Sequence, residues 1–315
     1  MPHLFKCFSF LLFFVIETAV VKANTIDKLK TDKDVFDLLI NIKAFGSSDT
    51  TEVVPSDMLL KRLDCNDVAI NWKVKSWEKV DFNHDKLTDL IVTVKDNNRS
   101  LFIFAVIDKG KGGLKCLELS NNRGSYCQLV KPITVDGIQM IAYYSKRFRM
   151  INQQLELNET EQTDTLIYLF GGFVEYNRKP LNYNIKSISI KVTDSIGVTN
   201  QGKVFYSPGL RRMFRDTLEM NLTIDSSHNT YVSDVPLNKL NNIKALINYI
   251  SIKEKEASYS VLWTDDAEAN LIVEFADGTK KRIRDYGMIG SFGLTRLYLT
   301  LLDLKNSLTW KLARK

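Results

Sequence analysis

Histidine, cysteine and proline are scarce in this chain: its 315 residues include 3 His, 4 Cys, 6 Pro and 15 Gly. The low proline and glycine content excludes collagen-like and low-complexity architectures, and 44% apolar residues exclude a disordered chain. Four cysteines at this length are too few for a disulfide-built scaffold. Beyond residue 23 only His84 and His228 remain, so a zinc cage or a histidine-dependent triad lacks its parts. No apolar run reaches the ~18 residues of a membrane-spanning helix. No P-loop, dinucleotide fingerprint or paired metalloprotease histidines occur; Gly110-Lys111-Gly112-Gly113 lacks the P-loop spacing. The formal charge of +6 is modest and spread along the chain, which gives nucleic acid no footprint. The run Lys280-Lys281-Arg282 with Arg284 reads as a solvated strand or turn.

What is present begins with an export signal. Lys6 precedes the apolar run at 8–16, and Val21 and Ala23 stand at the selective positions before a cut, so residues 1–23 read as a secretory signal peptide and the mature chain starts near Asn24. Cys7 precedes the apolar core instead of following it, which argues against a lipidated cysteine at the junction. Of Cys65, Cys116 and Cys127, the pair closest in sequence, Cys116 with Cys127, flanks a turn-like stretch and is the expected bridge; three buried thiols are the alternative.

Hydrophobic periodicity divides the mature chain. Leu29, Val35, Leu38, Leu39 and Ile42 predict a helix over 27–44. Strands follow at 68–72, 90–94, 101–106, 140–144 and 166–170, several of them apolar at nearly every position, as in a sheet covered on both faces. Asn177-Arg178-Lys179-Pro180 reads as a linker. Beyond it come strands at 185–192, 204–206 and 218–224. A helix follows, with Asp234 as cap, Pro236 in its first turn and an apolar face of Leu237, Leu240, Ile243, Ile247 and Ile250. Asp277-Gly278 predicts a hairpin joining 271–275 to 280–284, and a last helix begins near Gly293. The expectation is an α+β chain with two regions, 24–176 and 181–315, each with a mostly antiparallel sheet and flanking helices. No fixed-period repeat supports a solenoid or a complete propeller.

One loop carries chemistry. Asp81, Asn83, Asp85 and Asp89 stand at positions 1, 3, 5 and 9 of residues 81–89, and the carbonyl of Leu87 at position 7 can add a fifth oxygen. This spacing lets a tight loop close around one hard cation. Calcium, which accepts six to eight oxygens in irregular geometry, suits it better than magnesium. Three carboxylates brought together repel without a cation, so the ion would supply energy that closes the loop. An acidic turn before a buried strand is the competing reading. Position 12 is Val92, inside a strand, so this is not a helix-loop-helix calcium sensor. The loop instead resembles the calcium loops of integrin-type propeller blades. It departs from them at Lys86, which stands where glycine usually makes the sharp turn. His84, at an even position, is expected to face solvent.

A second constellation is weaker. Asp265 and Asp266, together with Asp277 and Asp285, could supply the carboxylate pair of a hydrolase, although hairpin-turn and strand-end roles account for Asp265, Asp277 and Gly278 more simply. Gly287, Gly290 and Gly293 permit either a ligand loop or a tight connection into the last helix.

Larger segments also resemble a known group. Ser76-Trp77 before the 81–89 loop, Phe170-Gly171-Gly172-Phe173-Val174-Glu175-Tyr176-Asn177, Trp263-Thr264-Asp265, Phe275-Ala276-Asp277-Gly278, residues 285–294 and Trp310 are similar to exported Bacteroidetes proteins of unknown function. Relatives of the C-terminal region often carry a Cys-x-Gly-x-Cys-Pro-like segment, and the corresponding residues 193–199 contain no cysteine, so no redox or metal role transfers there. The resemblance implies export, a bacterial envelope setting and two mixed α/β regions, and it implies no reaction. The expected function is a non-enzymatic, calcium-stabilised secreted or periplasmic protein with a protein or glycan partner. A periplasmic carboxylate-dependent hydrolase is the alternative.

Overall fold

A computed structural model describes residues 25–44, 52–61, 65–95, 100–119, 125–151, 154–192, 195–199, 201, 203–207, 230–261 and 266–313. The signal peptide expected at 1–23 and the strand expected at 218–224 lie outside them. The fold is mixed α+β, with several mostly antiparallel sheets.

The chain enters through α1 (Asp32–Asn41), which is shorter than the 27–44 expected. Thr31 and Asp34 set its start by a reciprocal capping box, in which the Asp34 amide donates to Thr31 Oγ1 at 3.2 Å and the Thr31 amide donates to Asp34 Oδ2 at 2.9 Å. A five-stranded antiparallel sheet follows: β1 (Glu52–Val53), then, after helices α2 (Ser56–Leu60) and α3 (Asn66–Trp72), β2 (Trp77–Val80), β3 (Asp89–Lys95), β4 (Leu101–Asp108) and β5 (Leu114–Glu118). Residues 66–72, expected to include a strand at 68–72, are helical. Cys65, Ala69 and Trp72 recur at helical spacing and face one cluster, while Ile70 stays 52% exposed. A short apolar run fits both periods, and packing selects the helix.

The second sheet, β6 (Ser125–Val135), β7 (Ile138–Ile151), β8 (Gln154–Leu169) and β9 (Gly172–Glu175), is an antiparallel meander. Asp136-Gly137 and Phe170-Gly171 make its two-residue turns at β6–β7 and β8–β9, with positive φ at all four residues, the geometry that matches strand twist.

The two sheets pack face to face. Ile91, Ile103, Ala105 and Ile107 meet Val130, Ile141, Tyr143, Leu166 and Phe173. Alternate residues of β3, namely Leu90, Val92 and Val94, point the other way into a layer with Val35, Leu38 and Leu39 of α1. The outer side of the second sheet is covered by α2 and α3 through Leu59 and Ala69 against Leu129 and Tyr144. The central strands are therefore buried on both faces, which explains their unbroken apolar runs.

This layering corrects the expected cysteine bridge. Cys116 of β5 packs toward α1, whereas Cys127 of β6 packs toward α3, on the opposite outer side of the sandwich. Cys127 instead pairs with Cys65, at a Cα–Cα distance of 6.2 Å, and Cys116 is a half-buried free thiol.

After residues 177–180 come β10 (Ile185–Lys191), β11 (Ser195–Thr199), β12 (Lys203–Ser207), β13 (Tyr231–Asp234), α4 (Leu237–Tyr249), β14 (Ser258–Ser260), β15 (Glu268–Phe275), β16 (Lys280–Tyr286), α5 (Phe292–Ser307) and β17 (Lys311–Leu312). They form one sheet in the order β14-β16-β15-β10-β11-β12-β13-β17, in which β14–β16 is parallel and the other described pairs are antiparallel. The β15–β16 hairpin turns at Asp277-Gly278, with Gly278 at φ 84°. Asp234 does not cap α4. Pro236 takes the cap position and the Asp234 carboxylate pairs with Lys203 across β12–β13, because a strand end points it sideways. Helices α4 and α5 cover the sheet through Leu240, Ile243, Ile247, Leu294, Leu297 and Leu301, and the same cluster takes in Met140, Ile167 and Val174 of the second sheet. A continuous core thus crosses residues 177–180.

Candidate metal centre

The 81–89 loop is the connection from β2 to β3, held at the end of the first sheet by four register pairs from Trp77↔Val92 to Val80↔Asp89. Its path is a tight coil closed by its own side chains. Asp81 Oδ1 accepts from the Asp85 amide at 3.2 Å and Oδ2 from the Lys86 amide at 3.0 Å. Asn83 Oδ1 also accepts from the Asp85 amide, at 3.2 Å, and Asp85 Oδ1 accepts from the Leu87 amide at 2.9 Å. The Asn83 side-chain amide donates to Asp85 Oδ2 at 2.9 Å. Lys86 adopts φ 70° and His84 φ 58°, so lysine takes the left-handed turn that glycine usually makes in such loops, with its side chain exposed. His84 is exposed, as its even position predicts. Leu87 is half-buried, its side chain against Gly110.

Asp89 differs from the other acidic residues of the loop. It is fully buried at the first position of β3, where Oδ2 accepts from the Phe82 amide and Oδ1 from the Asp108 amide, both at 2.8 Å. Burial pushes its carboxyl up to about 7 against the lowering effect of those amides, and the Asp85 charge adds to the rise.

Asp108 was not singled out by the sequence. It ends β4, is 5% exposed, accepts from the Gly110 amide at 2.6 Å and offers its own carbonyl to the Asn83 amide at 3.3 Å. Its signal was a carboxylate closing an otherwise apolar strand, Leu101-Phe102-Ile103-Phe104-Ala105-Val106-Ile107. Asp27, which precedes α1, adds a further carboxylate by accepting from Thr88 Oγ1 at 2.5 Å.

Asp81, Asn83, Asp85 and Asp89 therefore share one loop, with Asp108 and Asp27 beside it. Among the described residues no three His, Cys, Asp or Glu side chains are already gathered as a cage. The donor set, three carboxylates and an amide, is all hard oxygen, the chemistry that a calcium ion takes.

The second constellation divides differently. Asp285, on β16, is fully buried, and its two oxygens accept from the Ile289 and Gly290 amides at 2.9 Å each. A side chain on Gly290 would stand 2.8 Å from Asp285 Oδ2 and 2.9 Å from Tyr259 Cδ2, so the glycines here serve a tight connection wound around a carboxylate. Beside it the Tyr298 phenol is raised by burial and then by the Asp285 charge. Asp277 is exposed in its hairpin turn, bonded to Thr279. Asp265 and His228 lie outside the described residues.

Residues 196–305 match a family model described as a domain of unknown function (DUF6438). The match runs from β11 through most of α5, so the C-terminal part of the chain contains an uncharacterised domain seen in other proteins. No curated protein and no solved structure matches the chain. Among the described residues no helix is long and apolar enough to cross a membrane.

Proposed function

We propose that the chain is an exported, non-enzymatic binding or envelope protein, acting in the periplasm or outside the cell, whose 81–89 loop is stabilised by one calcium ion. Asp81, Asn83, Asp85 and Asp89, with the Leu87 carbonyl, hold the ion, and the partner is a protein or a glycan. The observation that carries this reading is the loop itself. The side chains of Asp81, Asn83 and Asp85 fold back on the amides of residues 85–87, while Asp89 is buried at the inner end. That arrangement gathers three carboxylates in one loop, where a cation would offset their mutual repulsion. Export is supported by the apolar run after Lys6 and by the Cys65–Cys127 disulfide, a bond that persists in oxidising compartments.

The alternative, a carboxylate-dependent hydrolase, draws no support from Asp285, whose two oxygens hold the 287–290 backbone and face no open cleft. Calorimetric titration of calcium into chelator-stripped protein tests the proposal, with Asp81→Ala and Asp85→Ala beside it. One saturable site, lost in both variants, is the expected outcome; extracellular modules bind calcium with Kd on the order of 10⁻⁴ to 10⁻³ M. Absence of saturable heat at millimolar calcium overturns it.

A further inference from the structure

The β8–β9 turn at Phe170-Gly171 is gripped by two cations from distant parts of the chain. Arg296, on α5, donates Nε to the Phe170 carbonyl at 2.7 Å, and Lys115, on β5, donates Nζ to the Gly171 carbonyl at 2.7 Å. A methyl placed on Gly171 would lie 3.0 Å from Arg296 Nη2 and 3.9 Å from Lys115 Nζ, so both cationic groups pack against the face of this glycine that carries no side chain. Both side chains are half-buried, and among the described residues neither forms an ion pair. Burial first, and then the charges of Arg296 and Lys109, hold the Lys115 ammonium below its ordinary value; burial does the same to Arg296. The exposed Asp303 carboxylate, one turn of helix beyond Thr300, is the acidic group that offsets them.

Two like charges drawn together out of water are unfavourable, and a clamp on two carbonyls uses only one donor from each side chain. Lys115 has further N–H groups, and Arg296 has its two terminal nitrogens. Arg296 also lines a groove of about 350 Å³ between α4 and α5, together with Lys239, Asn242, Thr300 and Asp303. Two cations, two side-chain amides and two hydroxyls line this groove with Ile243 and Leu304, and Asp303 is the one carboxylate among its lining residues.

We propose that Lys115 and Arg296 form a binding site for a small tetrahedral oxyanion, a phosphate or sulfate group, beside the Phe170-Gly171 turn. A tetrahedral anion has oxygens about 2.5 Å apart and accepts charge-assisted bonds of about 2.8 Å, so one anion reaches both cationic groups. Its charge offsets the repulsion that the fold imposes on them. The site is separate from the 81–89 loop and does not depend on calcium.

Calorimetry in calcium-free buffer tests the proposal, with inorganic phosphate and sulfate as probes and chloride at matched ionic strength as the blank. One saturable site is expected for the tetrahedral anions and none for chloride. Lys115→Gln keeps a donor for the Gly171 carbonyl but removes the charge, and should weaken phosphate binding about tenfold or more. Asp303→Asn removes the opposing charge at an exposed position and should tighten binding severalfold, a gain that no loss of folding can imitate. Absence of saturable binding up to about 20 mM phosphate or sulfate overturns the proposal. So does an affinity that Asp303→Asn leaves unchanged, since the two cations would then serve only to clamp the turn.

Discussion

Glu175 ends β9 in the second sheet, yet its carboxylate accepts from the Phe292 amide at 2.6 Å and the Gly293 amide at 3.0 Å, the first two amides of α5. Ser291 satisfies the next, from Leu294, at 3.2 Å. A helix start leaves such donors without intrahelical partners, and its dipole favours a negative charge there. A side chain on Gly293 would lie 2.6 Å from Ile250 Cγ2 and 3.0 Å from Glu175 Oε2, so α5 approaches as closely as its backbone allows. Glu175 therefore fastens the helix of the C-terminal region to the sandwich. Hydrogen bonds to a charged group contribute roughly 1.5–3 kcal/mol each, and partial solvent access reduces that, so Glu175→Ala should cost about 2–4 kcal/mol. Glu175→Gln keeps one acceptor oxygen without the charge and should cost roughly 1 kcal/mol. Urea unfolding gives the stabilities, and hydrogen exchange at Phe292 and Gly293 localises the effect. A change of less than about 0.5 kcal/mol in Glu175→Ala, or wild-type protection of those two amides, would show that Glu175 does not fasten α5.

Other consequences follow from packing and thiol chemistry. The Cys65–Cys127 bridge spans a sequence separation of 62, for which loop-closure entropy gives about 4 kcal/mol; Cys65→Ser with Cys127→Ser should lower the denaturation midpoint accordingly, and an unchanged midpoint would remove the bridge from the account. Burial raises the Cys116 thiol to about 11, so only a few in ten thousand are thiolate near pH 7.5; mass spectrometry should find slow iodoacetamide labelling at this residue that accelerates on unfolding, and fast labelling of the folded protein would contradict its placement. Gly290→Ala sets a methyl against Asp285 Oδ2 and Tyr259, so a stability loss of roughly 1–3 kcal/mol, seen as a lowered melting temperature, is expected, and a neutral change would show that the connection is loose.

The parts of the fold legible in the sequence were those whose periodicity had one interpretation. The strands around Leu90, Leu101, Met140 and Ile188, the Asp277-Gly278 hairpin and the helix beginning near Gly293 all stand where the apolar pattern put them. Residues 68–72 failed because a short apolar run satisfies helical and strand spacing alike, and only the cluster around Leu129 and Tyr144 decides between them. The cysteine pairing failed for a related reason. Nearness in sequence favoured Cys116 with Cys127, while the sandwich sends those two strands' side chains to opposite outer layers. The 81–89 loop was legible because its residues are contiguous. Asp108, 19 residues beyond Asp89, and the Lys115–Arg296 pair depend on strand neighbours and helix docking that spacing along one chain does not encode.

If a cation holds the 81–89 loop, chelator-stripped protein gains stability in about 10 mM calcium. For Kd between about 10⁻⁴ and 10⁻³ M, linkage gives a gain of about 1.4–2.7 kcal/mol, which Asp81→Ala should abolish and the same concentration of magnesium should not reproduce. A urea midpoint that does not move with calcium, or one that moves equally in Asp81→Ala, would leave the loop an acidic turn closed by its own amides and contradict the account.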